Sequence, residues 1–398
     1  MSDAAYSVVT AILPNTASDR VAQSLATDAG ATALTWRARG TLLRDHWWAR
    51  WMPPIGPVKT TLQLLVHKDD VDRIQTTIID SGRLHQQATG AVFSTPCQRA
   101  FFGTDSRVWS SKLTPSTASA AHRWSENLSI ICCIVGQTHS ERVARAAVNA
   151  GAHGPVIYFS EGRGLRDRIG WLRITKEHDQ EVLLVLADNS QASDVFSAMA
   201  KAGEVDRPGR GIMYRMDIDK GMFNLPSRFT GHRDPASMRQ IIHAIDQLAG
   251  HKHWRDQGAY DPGNGGRSTG PASFGDNRAI FENRQRLTAI APREQLQTLT
   301  DAILDAGAPG INMTFARLLA PVAGNSVSSA RINDEYAVLR SILEPQVMEQ
   351  VYKTLCDRAE DNDTADLCVF TNDVPQMATY APGLTDYRAP NQLLAASS

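Results

Sequence analysis

Residues 140–160 read SERVARAAVNAGAHGPVIYFS. Val143, Ala147 and Ala150 recur at helical spacing, so one face of this stretch is apolar. Gly151 then stops the pattern, because glycine takes the left-handed conformation that ends helices. An apolar run, 156–159, follows as a strand. The tripeptide Ala-Gly-Ala occurs twice more, at 29–31 and 306–308. Each copy closes a helical pattern (18–28 and 293–305) with its own apolar face: Val21, Leu25 and Ala29, then Leu296, Leu299 and Ile303. A short apolar run precedes each of the three helices, at 8–13, 130–135 and 287–291.

The order continues in step. Residues 62–66, 182–186 and 336–339 read as third strands. Residues 69–81, 191–202 and 344–357 read as second helices, and 91–94, 212–215 and 367–371 as fourth strands. The unit is therefore β-α-β-β-α-β, used three times. This is the split βαβ, ferredoxin-like order. It predicts an α+β chain with unit 1 at 5–101, unit 2 at 128–229 and a diverged unit 3 at 285–385. The connectors are 102–127 and 230–284, and 386–398 is a tail. The second connector is expected to hold one helix, 235–248, and then a Gly-rich loop. A four-stranded sheet with both helices on one face leaves the other face bare, and three such faces can cover one another. We expect an intramolecular pseudo-trimer, and a monomer.

Composition narrows the function classes. Lys and Arg number 41 against 42 Asp and Glu, for a net charge of −1, which argues against a generic polyanion binder. No run approaches the ~18 apolar residues of a membrane-spanning helix. The five cysteines have no CxxC spacing and read as reduced thiols of a cytoplasmic protein. Cys132 and Cys133 fall in one strand, so one faces each side of the sheet. His251 and His253 are too few for a metal site without a third ligand, and none is expected. No Gly-x-Ser-x-Gly, His-Glu-x-x-His or Walker loop occurs.

Unit 2 resembles the nitrogen-regulatory PII signalling family. Gly162-Arg163-Gly164 stands where that family opens its long T-loop. Ala202-Gly203-Glu204-Val205 stands at its Thr-Gly-Glu-Ile-like turn, and Pro208-Gly209-Arg210-Gly211 at its Gly-rich strand entry. In unit 1 the segment TGAVFSTP, 89–96, is similar to the family's Asp-Gly-Lys-Ile-Phe-Val-Ser-Pro. The resemblance implies a regulatory protein that holds ATP, ADP or another small anionic metabolite between units, needs no other cofactor, and signals through its loops to a protein partner. The candidate residues for ligand contact are Arg39, Gly40, Gly90, Gly162, Arg163, Gly164, Gly209, Arg210, Gly211 and Arg317. The family's phosphate-binding Lys is replaced by Ala91 in unit 1. In unit 3, residues 363–366 carry acid, so that cleft is expected to repel polyphosphate.

Arg39, Arg163 and Arg317 each lie near the end of a second strand, so a threefold arrangement is expected to set them at equivalent places. The loop after Arg39 carries Arg44, Trp47, Trp48 and Trp51, residue types that dominate interface energetics. It either packs on a connector or docks a partner protein. The other class is an enzyme, a hydrolase or lyase, with its site in an inter-unit cleft. There Lys59, Glu161, Arg163 and Lys176, near the loop bases, are the candidates for acid–base and oxyanion roles.

Overall fold

The computed structural model describes residues 5–40, 58–84, 90–108, 124–164, 179–224, 278–320, 331–360 and 364–380. The protein is a mixed α+β molecule. Sixteen strands, all paired antiparallel, form one hydrogen-bonded network, and six α-helices cover it among the described residues. None of these helices is long and apolar enough to cross a membrane.

The chain runs through three blocks in the same order. The first is β1 (Tyr6–Pro14), α1 (Asn15–Thr27), β2 (Ala33–Gly40), β3 (Val58–His67), α2 (Val71–Gly82) and β4 (Gly90–Pro96), followed by a short β5 (Arg99–Phe102). The second is β6 (Leu128–Gly136), α3 (Ser140–Asn149), β7 (His153–Gly164), β8 (Asp179–Asp188), α4 (Asn189–Gly203) and β9 (Gly211–Ile218), followed by β10 (Lys220–Asn224). The third opens on β11 (Arg278–Phe281), then runs β12 (Arg284–Pro292), α5 (Leu296–Asp305), β13 (Gly310–Ala320), β14 (Arg331–Leu343), α6 (Pro345–Glu360) and β15 (Cys368–Val374), and ends on β16 (Gln376–Tyr380). Within each block the first strand lies between the third and the fourth. β1 pairs β3 and β4, β6 pairs β8 and β9, and β12 pairs β14 and β15.

The Ala-Gly-Ala copies act as the sequence suggests. Gly30, Gly151 and Gly307 all take positive φ at the end of the first helix of their block. The following amide turns back onto the helix: Ala152 N–H donates to Ala147 at 3.0 Å and Ala308 N–H to Ile303 at 3.2 Å. These bonds satisfy carbonyls that the helix end leaves free. The second helices close similarly but with a side chain in the left-handed position, Arg83 (φ 55°) after α2 and Glu204 (φ 51°) after α4. A left-handed non-glycine residue costs on the order of 1 kcal/mol. Arg83 is exposed, so Arg83→Gly is expected to raise the unfolding free energy in urea by about 0.5–1 kcal/mol. A loss of stability would show that the Arg83 side chain contributes more than its backbone costs.

Strand alternation sends one face outward to the helices and one inward. Val9, Ala11 and Leu13 of β1 join the α1 and α2 core, while Val8 and Ile12 point the other way. In β6, Cys133 packs under α3 and α4 and Cys132 faces the interior, one on each side as expected. Three outer cores thus lie under three helix pairs, and a fourth core draws on all three blocks.

The blocks are stitched cyclically. β10 pairs β4, β16 pairs β9, and β5 pairs β15, so the strand after each fourth strand pairs with another block. The second strands also meet end to start: Arg39 opposite Ile157, Glu161 opposite Met313, and Arg317 opposite Thr35. These three pairings repeat one register. They correct the expected equivalence of Arg39, Arg163 and Arg317, because the residue in step with Arg39 and Arg317 is Glu161. A strand's own sequence does not say which of its residues meets a neighbouring strand, so this register is not read from the tripeptide. The four short strands β5, β10, β11 and β16 are likewise absent from the sequence reading. Each is four or five residues long and finds its partner in another block or in another such strand, so no local pattern marks it.

Candidate functional site

The sequence-marked residues fall at different junctions. Arg39 and Gly40 meet the second block where β2 crosses onto β7. There the Arg39 guanidinium clasps Glu181 of β8, with Nη2 at 2.9 Å from Oε1 and 3.0 Å from Oε2. Glu181 is buried, and its Oε2 also accepts from the Ser140 hydroxyl at the start of α3.

Beside Ser140 stands His139, which precedes α3. Arg210 Nη1 donates to His139 Nε2 at 2.9 Å, and Nδ1 lies 2.8 Å from the Thr138 hydroxyl. A guanidinium only donates, so Nε2 is the bare nitrogen and the ring proton sits on Nδ1. Partial burial, then the charges of Arg210 and Arg142, push the imidazole pKa down, and the ring is neutral at pH 7. Arg142, Arg207 and Arg210 also surround one carboxylate, Glu204, at 3.3, 3.1 and 3.7 Å. Desolvation opposes ionisation of Glu204, but the three guanidiniums outweigh it and its pKa lies below the ordinary range. Its contribution to the cluster is therefore complete above that range and fades as pH falls through the depressed value.

The Gly-rich turn frames this cluster. Gly209 (φ 72°) and Gly211 (φ 148°) carry Arg210 between them, and Thr379 of β16 donates its hydroxyl to the Gly211 carbonyl at 3.1 Å. Around the start of α3, four guanidiniums (Arg39, Arg142, Arg207, Arg210) thus share two bonded carboxylates, Glu181 and Glu204. Side chains of the first and second blocks converge there, and a side chain of the third closes one edge. The first turn of α3 adds its backbone N–H groups, which the side chain of the N-cap residue, His139, does not cap.

The other marked residues lie elsewhere. Glu161, Gly162, Arg163 and Gly164 pair with Gly310 to Met313 at the junction of the second and third blocks, and Arg163 Nη1 donates to Gln297 at 2.6 Å. Arg317 is exposed where β13 meets β2. Gly90 begins β4. Lys59 lies on β3 opposite Pro14 and Ala38, and burial lowers its pKa. In the third block, Asp366 accepts from Tyr336 at 2.5 Å and from the Arg107 backbone and Nε at 3.0 Å, so this acid is committed to internal bonds. Arg44, Trp47, Trp48, Trp51 and Lys176, the 235–248 helix and the His251–His253 pair lie outside the described residues.

Sequence reasoning misses a second group, on the inner face. A buried cavity of about 30 Å³ lies where the three blocks meet, lined by thirteen residues that include Thr10, Trp36 and Gln63, Tyr158 and Tyr214, and Arg286 and Arg340. The chain does carry a signal for it. Arg340 interrupts the apolar run of β14, and Arg286 stands just before the apolar run of β12, both at inward positions of the alternation.

No family model matches the chain, and no curated protein matches it. Among solved structures, an unknown protein from Galdieria sulphuraria is 12% identical over 62% of this chain and 98% of its own, at a TM-score of 0.18. Aspartate kinase from Synechocystis is 9% identical over 93% of this chain, at a TM-score of 0.20, and this chain covers 43% of the kinase. An alkyldihydroxyacetonephosphate synthase is 8% identical at a TM-score of 0.15, covering 86% of this chain and 50% of that one. Likenesses at these TM-scores assign neither fold nor activity to this protein.

Proposed function

We propose that the protein is a PII-like regulatory protein, built as three ferredoxin-like units closed into an intramolecular pseudo-trimer. It takes a small anionic metabolite or an adenine nucleotide at the junction of units 1 and 2. The observation that carries this reading is the charge balance around α3, where four guanidiniums are held by two carboxylates beside a helix start and a Gly-rich turn. An arriving phosphate or carboxylate completes such a set through charge-assisted hydrogen bonds. The cyclic strand pairing supports the pseudo-trimer half of the reading, because each unit lends a strand to another and one inner core draws on all three. The segment that follows Gly40 starts from this junction, so ligand contact there is placed to bias it toward or away from a protein partner.

Calorimetric titration with ATP, ADP, AMP and 2-oxoglutarate tests the site. We expect at least one to bind, with Arg210→Ala weakening it about tenfold or more and Lys353→Ala, on α6, leaving it unchanged. No binding by the wild type at millimolar concentration removes the nucleotide form of the proposal. Light scattering is expected to give a particle of one 43.5 kDa chain; a stable trimer of whole chains would overturn the pseudo-trimer.

A further inference from the structure

The inner cavity poses a charge problem. Arg286 and Arg340 are 5% and 7% exposed. Neither has a carboxylate partner among the described residues. Arg286 Nη2 donates to Asn372 Oδ1 at 2.7 Å, and its Nε has no partner there. Arg340 Nη1 donates to Thr314 at 3.2 Å and Nη2 to Gln63 at 3.5 Å, while the guanidinium lies over the Trp36 ring, 5.5 Å from its centre. All of these partners are neutral. A guanidinium cannot lose its proton in a protein, so burial does not neutralise it. An ion taken out of water without a counter-charge costs several kcal/mol, and two like charges lining one cavity add repulsion.

The same cavity has unused donors. Trp36, 7% exposed, has a buried Nε1–H with no acceptor among the described residues, and the Arg286 Nε–H is in the same position. Trp36 is held edge-on to Tyr158, with ring centres 5.8 Å apart. Burial raises the pKa of the Tyr158 and Tyr214 phenols, so both keep their protons and neither supplies negative charge. Burial likewise raises the Cys132 thiol pKa, and it stays protonated. The wall thus presents two cations and several N–H and O–H donors, and no anion faces them among the described residues.

The register shows how this arose. In step with Arg286 stand Val8 and Ile130, and in step with Arg340 stand Gln63 and Leu184. Only the third block places arginines at these inward positions, while the first and second supply Trp36, Tyr158 and Tyr214.

We infer that this chamber binds a small monovalent anion, a halide or a compact oxyanion such as nitrate or bicarbonate, held by Arg286, Arg340 and the Trp36 indole N–H. A cavity of about 30 Å³ has room for a few water-sized atoms. It has no room for a nucleotide or 2-oxoglutarate, so this site is separate from the one at α3 and does not depend on it. The bound charge serves the fold, since it joins a pair of cations from one block to donors of the other two.

The test uses the full chain at constant ionic strength. Thermal unfolding is followed in sodium chloride, bromide, nitrate and bicarbonate, with sodium gluconate as an anion too large to enter. We expect the midpoint to rise with one or more of the small anions and to saturate, as binding to the native state alone requires. Trp36→Phe is expected to raise the half-saturating concentration about tenfold, and Arg340→Met to abolish the dependence. Crystals grown in bromide are expected to show an anomalous peak within hydrogen-bond distance of Trp36 Nε1 and the guanidiniums. A midpoint that rises equally in Arg340→Met is a general salt effect and overturns the proposal. So does a chamber that holds only water in bromide-grown crystals. The diffraction result stands by itself if Arg340→Met does not fold.

Discussion

Gly211→Ala is expected to lower the unfolding free energy by about 3 kcal/mol, measured by urea denaturation. Two independent costs combine. Gly211 has φ 148°, a conformation that side chains rarely adopt. A Cβ there would also stand 2.1 Å from the Ile134 carbonyl oxygen, a backbone atom of β6 that cannot swing aside. Gly90 repeats the geometry in the first block, with φ 132° and 2.2 Å to the Ile12 carbonyl, so Gly90→Ala is expected to behave alike. Gly136→Ala is the control. Nothing lies within 4 Å of its Cβ, and a change within about 0.5 kcal/mol is expected. If Gly211→Ala matched that control, the close approach of β9 to β6 would be wrong. In the third block Leu367 holds the corresponding position and is fully buried. That strand therefore enters without the tight glycine approach, which places the block's divergence at a definite backbone step.

These glycines also show what the sequence makes legible. Local rules mark both kinds of position. Gly151 ends a helical pattern, and Gly211 begins an apolar run. Alternation along β6 is enough to place Cys132 and Cys133 on opposite faces. What local rules miss is long-range. β5 and β16 have ordinary short sequences, and their partners lie in other blocks, so pairing decides their existence. The α3 cluster is half legible. Arg39, Glu204, Gly209, Arg210 and Gly211 stand out in the sequence, but His139, Arg142 and Glu181 are ordinary residues until folding sets them together. The confusion of Glu161 with Arg163 has the same origin, because the register of pairing decides which residue meets a neighbouring strand, and that register is not written in either strand alone. Arg286 and Arg340 stand as charges at inward positions of the alternation, but arginine is common on the solvated face of a strand, so the pattern alone does not single them out.

The Arg39–Glu181 pair gives the second large expected effect. Glu181 is 4% exposed at its side chain and Arg39 30%. Arg39→Met leaves a buried carboxylate with only the Ser140 hydroxyl for support. Removing one partner of a buried pair costs about 3–5 kcal/mol. Because Arg39 keeps some water contact, the lower end, about 3 kcal/mol, is expected. Glu181→Gln combined with Arg39→Met removes the stranded charge, and the double variant is expected to recover most of the loss. The resulting coupling is about 2 kcal/mol by double-mutant cycle. Additive effects would show that the pair does not bind the two elements energetically. The position gives the result wider meaning. Among the described residues the β2–β7 ladder has two residue pairs, Arg39 with Ile157 and Gly40 with Val156. The salt bridge ties the end of β2 to β8 beside that short ladder. The other two junctions use other chemistry: Asn312 donates to Ser160 at 2.8 Å between the second and third blocks, and Arg340 reaches Gln63 between the third and first. Three different polar contacts make the three junctions unequal, so weakening the Arg39 junction should perturb the α3 cluster before the other two.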